Sequence, residues 1–303
     1  MKICIWITKI FDLGGTKRVV SLLANELVKE HEVTIMTYED RFREDRTMYH
    51  LSEDINVDFI DNSQFVNKHH TPAFCARYLV KKLNDRSGMF NKKSLNPILA
   101  EAIFPQKTRE KWVEYFNSQD YDVILTTASL SLRLAMIAPR LKAATIGWQH
   151  NCYDGYLHVK PVVFWQQENL LQQYLPNLDR YIVLSDYDKR DYMEKLGIDC
   201  EVKINPRSFV SEKKCDVKSK RFLMATRFVY AKGLDLMMES FEEFCKEDSE
   251  WELDIIGDGD LFDQIRADAK KRHLEKRVHF VGYTNEPEKY YLNSSVFLLP
   301  SRW

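Results

Sequence analysis

Arg227 and Lys232 form an R-x4-K pair in a loop between a short apolar run and a helix. A guanidinium and an ammonium held near one another can bind a diphosphate, because charge-assisted hydrogen bonds to phosphate oxygens are the strong kind. Read alone, the two side chains are better explained as solvated loop charges. Their setting narrows that choice. Arg221 to Ala225 is long enough for a strand and too short for a helix. From Leu234, the apolar residues Leu234, Met237, Met238, Phe241, Phe244 and Cys245 recur three and four apart, which predicts a helix with one buried stripe. In an open parallel sheet, ligands bind beyond the carboxyl ends of the strands. A helix N-terminus adds free N–H groups and a dipole that favours anions. Trp251 to Ile256 reads as the next buried strand, closed by the turn Gly257-Asp258-Gly259. Asp258-x-Asp260 belongs to that turn and is not flanked by apolar strand residues, so no metal site is expected there.

Three more groups could do chemistry. Gly14-Gly15 lies between a strand, Ile3 to Ile7, and an amphipathic helix carrying Val19, Val20, Leu22, Leu23, Leu27 and Val28. With His31 to Thr37 as the next strand, this is a nucleotide-binding βαβ opening. A dinucleotide reading would use Glu39 or Asp40 on a ribose, but the loop lacks G-x-G-x-x-G spacing. A purely structural glycine turn is the other alternative. His150 follows the strand Ala144 to Trp148, with Asp154 in the same loop; a histidine at a strand's carboxyl end can meet a ligand or be structural. His69-His70 has no third ligand in view and is not read as a metal site.

These groups need elements to hold them. Further strands are expected at Asn56 to Ile60, Tyr121 to Thr126, Asp179 to Leu184, Glu201 to Ile204, Val278 to Val281 and Val296 to Leu299. Helices are expected at Ser129 to Ile137, Leu157 to Leu175 (Trp- and Gln-rich, at the domain edge), Asp186 to Leu196 behind a Ser185 cap, Leu261 to Leu274, and Pro287 to Leu292. Val66 to Trp112 is the least regular part of the first half. It interleaves cations such as Lys68, Arg77, Lys81 and Arg109 with Phe74, Tyr78, Leu79, Ile98, Phe104 and Trp112. That composition can lie on an anionic bilayer, and it suits a solvated face of ordinary helices equally well. The expected fold class is α/β. Residues 1–205 form one Rossmann-like domain, 206–220 a polar linker, and 221–303 a second, partial domain.

R-x4-KG after one strand, IIGDGD after the next, then RVHFVGY and VFLLPSRW resemble the C-terminal domain of the GT-B glycosyltransferases of family 4, from about Arg221 to the last residue. GGTKRVV resembles the paired-glycine loop of the same family. The resemblance implies two facing Rossmann-like domains with parallel sheets. The first would bind a saccharide or lipid-linked acceptor, and the second a nucleotide-diphosphate sugar. It implies a retaining sugar transfer without protein nucleophile, cofactor or metal, for a surface polysaccharide or glycoconjugate. Arg227 and Lys232 would stabilise the leaving diphosphate, and His150 would contact the transferred sugar. Gly14 and Gly15 would give backbone access to the donor, Gly257 would line its site, and Phe280 to Tyr283 would border the base. The family's glutamate loop, E-x7-E, is expected directly after PSRW and is not in this sequence. The donor domain is therefore expected to be incomplete and the chain a weak transferase. The alternative is a non-catalytic remnant, or a subunit completed by a partner chain.

Composition agrees with a globular protein: of 303 residues, 45% are apolar and 29% charged, with a net charge of −1. That balance gives no general field for nucleic acid. Six separated cysteines without CxxC spacing fit a reducing compartment. The opening MKICIWITKI reads as a first strand, and no apolar run approaches the roughly 20 residues of a membrane span. The expected location is the cytoplasm, with peripheral contact on the inner face of the plasma membrane.

Overall fold

The structure is a computed structural model and describes residues 1–303 except 40, 62, 64, 66–70, 160–162, 208, 249, 285 and 303. Asp40, Lys68, His69, His70 and Trp303, named above, lie outside the described residues. The chain divides into two compact units, Met1–Ser208 and Phe209–Trp303.

The first unit is built on seven strands: β1 (Lys2–Trp6), β2 (Glu32–Thr37), β3 (Asn56–Phe59), β4 (Val123–Thr127), β5 (Ala144–Trp148), β6 (Arg180–Val183) and β7 (Glu201–Val202). They pair in the order β3-β2-β1-β4-β5-β6-β7, every pair parallel. Among the described residues, these α-helices accompany them: α1 (Gly15–Leu27), α2 (Pro72–Ser87), α3 (Asn96–Ile103), α4 (Gln106–Ser118), α5 (Ser129–Ile137), α6 (Tyr153–Leu157), α7 (Glu168–Tyr174) and α8 (Asp186–Leu196).

A parallel sheet must be covered on both faces, and β1 shows how. Its side chains alternate, so Cys4 and Trp6 enter one apolar core with Trp112 of α4, while Ile3 and Ile5 enter another with Val19, Val20 and Ala24 of α1. On the first face Trp112 stacks on Phe65 at 3.9 Å between centroids and lies 4.7 Å from Trp6. The order reverses at β1, which is the switch point where ligands gather in such sheets.

The second unit has four strands: β8 (Arg221–Ala225), β9 (Glu252–Ile256), β10 (Val278–Gly282) and β11 (Val296–Phe297). They pair in parallel in the order β10-β9-β8-β11. Helices α9 (Leu234–Glu247), α10 (Phe262–Lys271) and α11 (Pro287–Leu292) complete it. The predicted stripe of α9 is in place, with Leu234, Met237, Met238 and Phe241 buried. Here the switch point is β8. Part of the expected linker is tied into this unit: the Asp216 N–H donates to the Leu292 carbonyl at 3.0 Å, and Ser295 Oγ donates to the Asp216 carbonyl at 3.1 Å.

Two expectations are corrected. Val66 to Trp112 is not irregular where it is described, because α2, α3 and most of α4 fall inside it, and its Leu99, Phe104 and Trp112 are core residues. The spacing of aromatics among cations hid which face each one takes. Leu157 to Leu175 is not one helix at the domain edge: among its described residues after Leu157, Glu168–Tyr174 is the α-helical run, and Phe164, Leu170 and Leu171 are buried. Tertiary hydrogen bonds hold the stretch out of helix. Asn84 Nδ2, near the end of α2, donates to the Gln166 carbonyl at 2.8 Å, and Trp165 Nε1 donates to the Asp85 carbonyl at 2.9 Å. Gln166 itself has a φ of 57°.

The Asn84 side chain is buried and also accepts the Phe90 N–H at 3.1 Å. Asn84→Ala strands both backbone partners, and a buried unsatisfied group costs about 1–3 kcal/mol. Urea unfolding should show a loss of about 2 kcal/mol, with exchange of the Phe90 amide accelerated; an unchanged midpoint would mean that Asn84 does not hold this segment.

Candidate functional site

The loop leaving β8 carries both cations. Arg227 is exposed and Lys232 half-buried, and neither has a hydrogen-bond or carboxylate partner among the described residues. Burial, and then the Arg227 charge, push the Lys232 ammonium below its usual range. Two positive groups are thus held near each other with nothing to balance them, ahead of α9. This is a surplus of charge that an anion would relieve.

Backbone contacts hold that loop in place. The Thr226 N–H donates to the Ile256 carbonyl at 2.9 Å, Phe228 N–H to the Asp258 carbonyl at 2.9 Å, and Leu261 N–H to the Phe228 carbonyl at 3.0 Å. Gly257 has a φ of 126°, and a Cβ there would stand 1.8 Å from the Thr226 carbonyl oxygen. Gly233, between Lys232 and α9, has a φ of 65°, and a Cβ would stand 2.1 Å from the Pro300 carbonyl oxygen. No other residue fits at either place. Gly257 also donates its N–H to the Gly282 carbonyl at 2.8 Å, which brings in the start of the half-exposed Tyr283. The structure therefore brings together Arg227, Lys232, Gly257 and the Tyr283 backbone.

Arg302 is a residue the sequence reading missed. Its N–H donates to the Ala231 carbonyl at 2.8 Å, and Nη1 donates to the Tyr230 carbonyl at 2.9 Å. The guanidinium also grips both Asp235 oxygens at 2.8 and 2.7 Å, and lies 4.1 Å from the Tyr230 ring centre. Hydrogen bonding from Arg302 holds the Asp235 carboxyl below its ordinary range. Arg302 thus fixes the turn that carries Lys232. The only sequence signal was its place in PSRW.

In the first unit, Gly14-Gly15 follows β1 at the switch point, and His150 follows β5 two strands away. Gly14 has extended backbone, and its N–H donates to the Tyr49 hydroxyl at 2.8 Å. Gly15 opens α1, and a Cβ there would meet nothing of the protein within 4 Å. The backbone does not require glycine at 15, and no part of the protein fills the place a side chain would take. Glu39, weighed as a ribose ligand, is buried and turned inward: it accepts the Ile10 and Phe11 N–H groups at 2.5 and 2.9 Å. It shapes the loop that leads to the glycines and is not free for a ribose.

His150 packs against Trp148, with ring centres 4.4 Å apart and the planes tilted by 47°. Burial pushes its imidazole down to about 4, although the Asn205 side chain pulls weakly the other way. Apart from that approach of the Asn205 side chain, which falls short of hydrogen-bond geometry, neither ring nitrogen has a partner among the described residues, and Trp148 Nε1 and Gln149 Nε2 are buried without partners as well. Gln149 faces the opposite side of the sheet, where Oε1 accepts from the Tyr181 and Tyr192 hydroxyls, the latter at 2.7 Å. Asp154 is engaged with His158 Nδ1 at 2.7 Å. Among the described residues, no group of three or more His, Cys, Asp or Glu side chains could hold a metal ion.

Residues 13–208 match the family described as Glycosyltransferase Family 4, and residues 208–303 the one described as Glycosyl transferases group 1. The chain is similar to an uncharacterized glycosyltransferase of Haemophilus influenzae, at 25% identity over 186 residues, covering 59% of this chain and 50% of that protein. It is 22% identical over 227 residues to the alpha-monoglucosyldiacylglycerol synthase of Streptococcus pneumoniae, covering 65% of this chain and 51% of that protein. The chain thus spans about half the length of the curated relatives it matches. A Staphylococcus aureus TarM variant, solved in complex with fondaparinux, alpha-GlcNAc-glycerol and UDP, has a TM-score of 0.70 at 13% identity, over 99% of this chain and 81% of that one. That likeness shows the fold, GT-B with two Rossmann-like units.

The His150 environment has a pH signature. Its native pKa, about 4, lies below the unfolded value of 6.5. Between those values the unfolded chain takes up a proton that the native chain refuses, so stability rises with pH across the window and falls on acidification. The loss from pH 7 to pH 4.5 should include roughly 2 kcal/mol from this group. His150→Gln should flatten that part of the urea-midpoint profile; an identical profile would show the imidazole to be solvated.

Proposed function

The chain belongs to glycosyltransferase family 4, and on that premise we propose that it moves a sugar from a nucleoside diphosphate sugar to a saccharide or lipid-linked saccharide, with retention at the anomeric carbon. The observation that carries the proposal is the pair Arg227 and Lys232, unbalanced and close together at the carboxyl end of the switch strand. The bond from the anomeric carbon to the diphosphate oxygen breaks, and its electron pair leaves with the diphosphate. The acceptor hydroxyl bonds the same carbon from the same face, and its proton passes to the departing diphosphate oxygen. Charge develops on the leaving oxygen, and preorganised cations stabilise it there.

Each further residue has a proposed part. The second unit binds the donor, with Gly257 at its floor and Tyr283 beside the base; the first binds the acceptor. His150, neutral at pH 7 and with two unused ring nitrogens, meets a hydroxyl of the transferred sugar. Gly14 and Gly15 let donor groups approach the backbone. The cations do this without a metal or cofactor. The TarM likeness makes UDP the first nucleotide to try. The alpha-monoglucosyldiacylglycerol synthase relative, named for a glucosylated lipid, supports a lipid-borne acceptor; the proposal adds surface glycoconjugate synthesis at the cytoplasmic face of a membrane. No described helix is long and apolar enough to cross one.

Calorimetry tests the cations. Arg227→Ala and Lys232→Ala should each weaken UDP binding by about 1.5–3 kcal/mol, the scale of a hydrogen bond to a charged group, while uridine loses little. Equal losses for both would take the cations away from the phosphates. Transfer assays test the histidine: His150→Ala should lower the rate at least tenfold and leave UDP affinity within twofold. A collapse of UDP affinity would place His150 in the nucleotide pocket instead.

A further inference from the structure

On the first unit, α2, α3, α4 and α5 enclose a cavity of about 280 Å³, just below the roughly 300–1,000 Å³ of small-molecule sites. No glycine loop, His150 or other residue assigned above lines it. Its lining includes the cations Arg77, Lys81 and Arg133, and no acidic residue is among the described residues that line it. The charges are poorly matched. Arg77 reaches one carboxylate, Glu101, at 4.0 Å, and Glu101 is shared with Arg109 at 3.7 Å. Lys81 has no partner among the described residues. Arg133 lies 5.7 Å from the Phe104 ring centre and hydrogen-bonds the Tyr38 hydroxyl, with no carboxylate partner among the described residues. The remaining wall is apolar, and both Phe104 and Trp112 are almost wholly buried beneath it. Tyr78, which lines the cavity, is 60% exposed, so part of its aromatic wall opens to the surface.

We propose that this cavity binds an anionic amphiphile, the phosphate and proximal chain of a phosphorylated lipid. A phosphate is bound by guanidinium and ammonium groups acting together. The apolar wall excludes water from an alkyl chain attached to it. A free anion would leave the aromatic wall unused, and a neutral chain would leave Lys81 and Arg133 without a counter-charge among the described residues and Arg77 with only a shared one. A compound ligand uses both halves. The proposal deepens the acceptor side of the reading above and rests on that reading for its role in sugar transfer, although binding is measured without transfer.

The experiment is calorimetry on the full chain with three soluble probes, namely octyl phosphate, octanol and inorganic phosphate, and with UDP as a separate titrant. Octyl phosphate should bind at least tenfold tighter than either control. Lys81→Glu, at an exposed position with no partner to lose among the described residues, should weaken it at least tenfold without moving Tm, and Arg77→Gln should weaken it as well. If Arg77→Gln fails to fold, Lys81→Glu decides alone. Inorganic phosphate binding as tightly as octyl phosphate, octanol doing so, or affinity within twofold in Lys81→Glu would each overturn the proposal. UDP binding with no octyl phosphate binding would end this proposal and leave the donor site standing. Octyl phosphate binding without UDP binding would keep the cavity and remove its part in transfer.

Discussion

The second unit depends on a contact between two stretches of backbone, the Thr226 carbonyl against the α-carbon of Gly257. Nothing larger than a hydrogen fits between them. That approach lets the ends of β8 and β9 lace together through Phe228 and Asp258, and Arg227 lies inside the laced segment. The loop's position is therefore settled at folding and not when a ligand arrives. A charge that is to meet a ligand is most useful in that condition, because its ordering cost does not fall on binding.

Both units solve the same problem with different chemistry. A loop must leave the switch strand, stay on the surface, and keep its polar groups in place. In the first unit the anchors are the inward carboxylate of Glu39, taking the Ile10 and Phe11 N–H groups, and the Tyr49 hydroxyl at Gly14. In the second, a cation does it from the other direction, with Arg302 gripping Asp235 and the Tyr230 carbonyl. In each case the anchor is remote in sequence from the loop it holds, by 28 or 29 positions for Glu39 and 72 for Arg302 to Tyr230.

That remoteness explains what could be read in advance and what could not. Local signals were dependable: Ser129 to Ile137, Ala144 to Trp148 and Pro287 to Leu292 have the bounds their patterns give, and Ser185 caps α8 as its type demands, accepting the Asp188 N–H at 3.1 Å. The stripe of α9 and the loop bearing Arg227 and Lys232 follow from the same periodicity. Where long-range hydrogen bonds outvote local preference, reading by pattern fails. Trp165 and Gln166 look helical and are pulled out by the end of α2. Glu39 stands where an acidic ribose ligand would, but nothing in its neighbours says that it points inward. Phe104 and Trp112 are spaced like surface aromatics among cations, and only the tertiary fold puts them in the core.

The pairing of β1 with β4 has a consequence for how the chain is made. Lys2 and Asp122 are hydrogen-bonded neighbours at 2.7 Å, yet 120 positions separate them. As the chain emerges from the ribosome, β1, β2 and β3 can assemble early, since their pairings are closer in sequence. The other edge of β1, lined by Ile3 to Trp6, then waits until Val123–Thr127 has been synthesised. At roughly 5–20 residues per second, the wait between Phe59 and Thr127 lasts several seconds. An open, apolar parallel edge is a template for wrong partners during that time. The helices α2 to α4, which are translated inside this interval, supply the Trp112 face that covers Trp6, so one side of the waiting sheet can be shielded before its last central strand arrives.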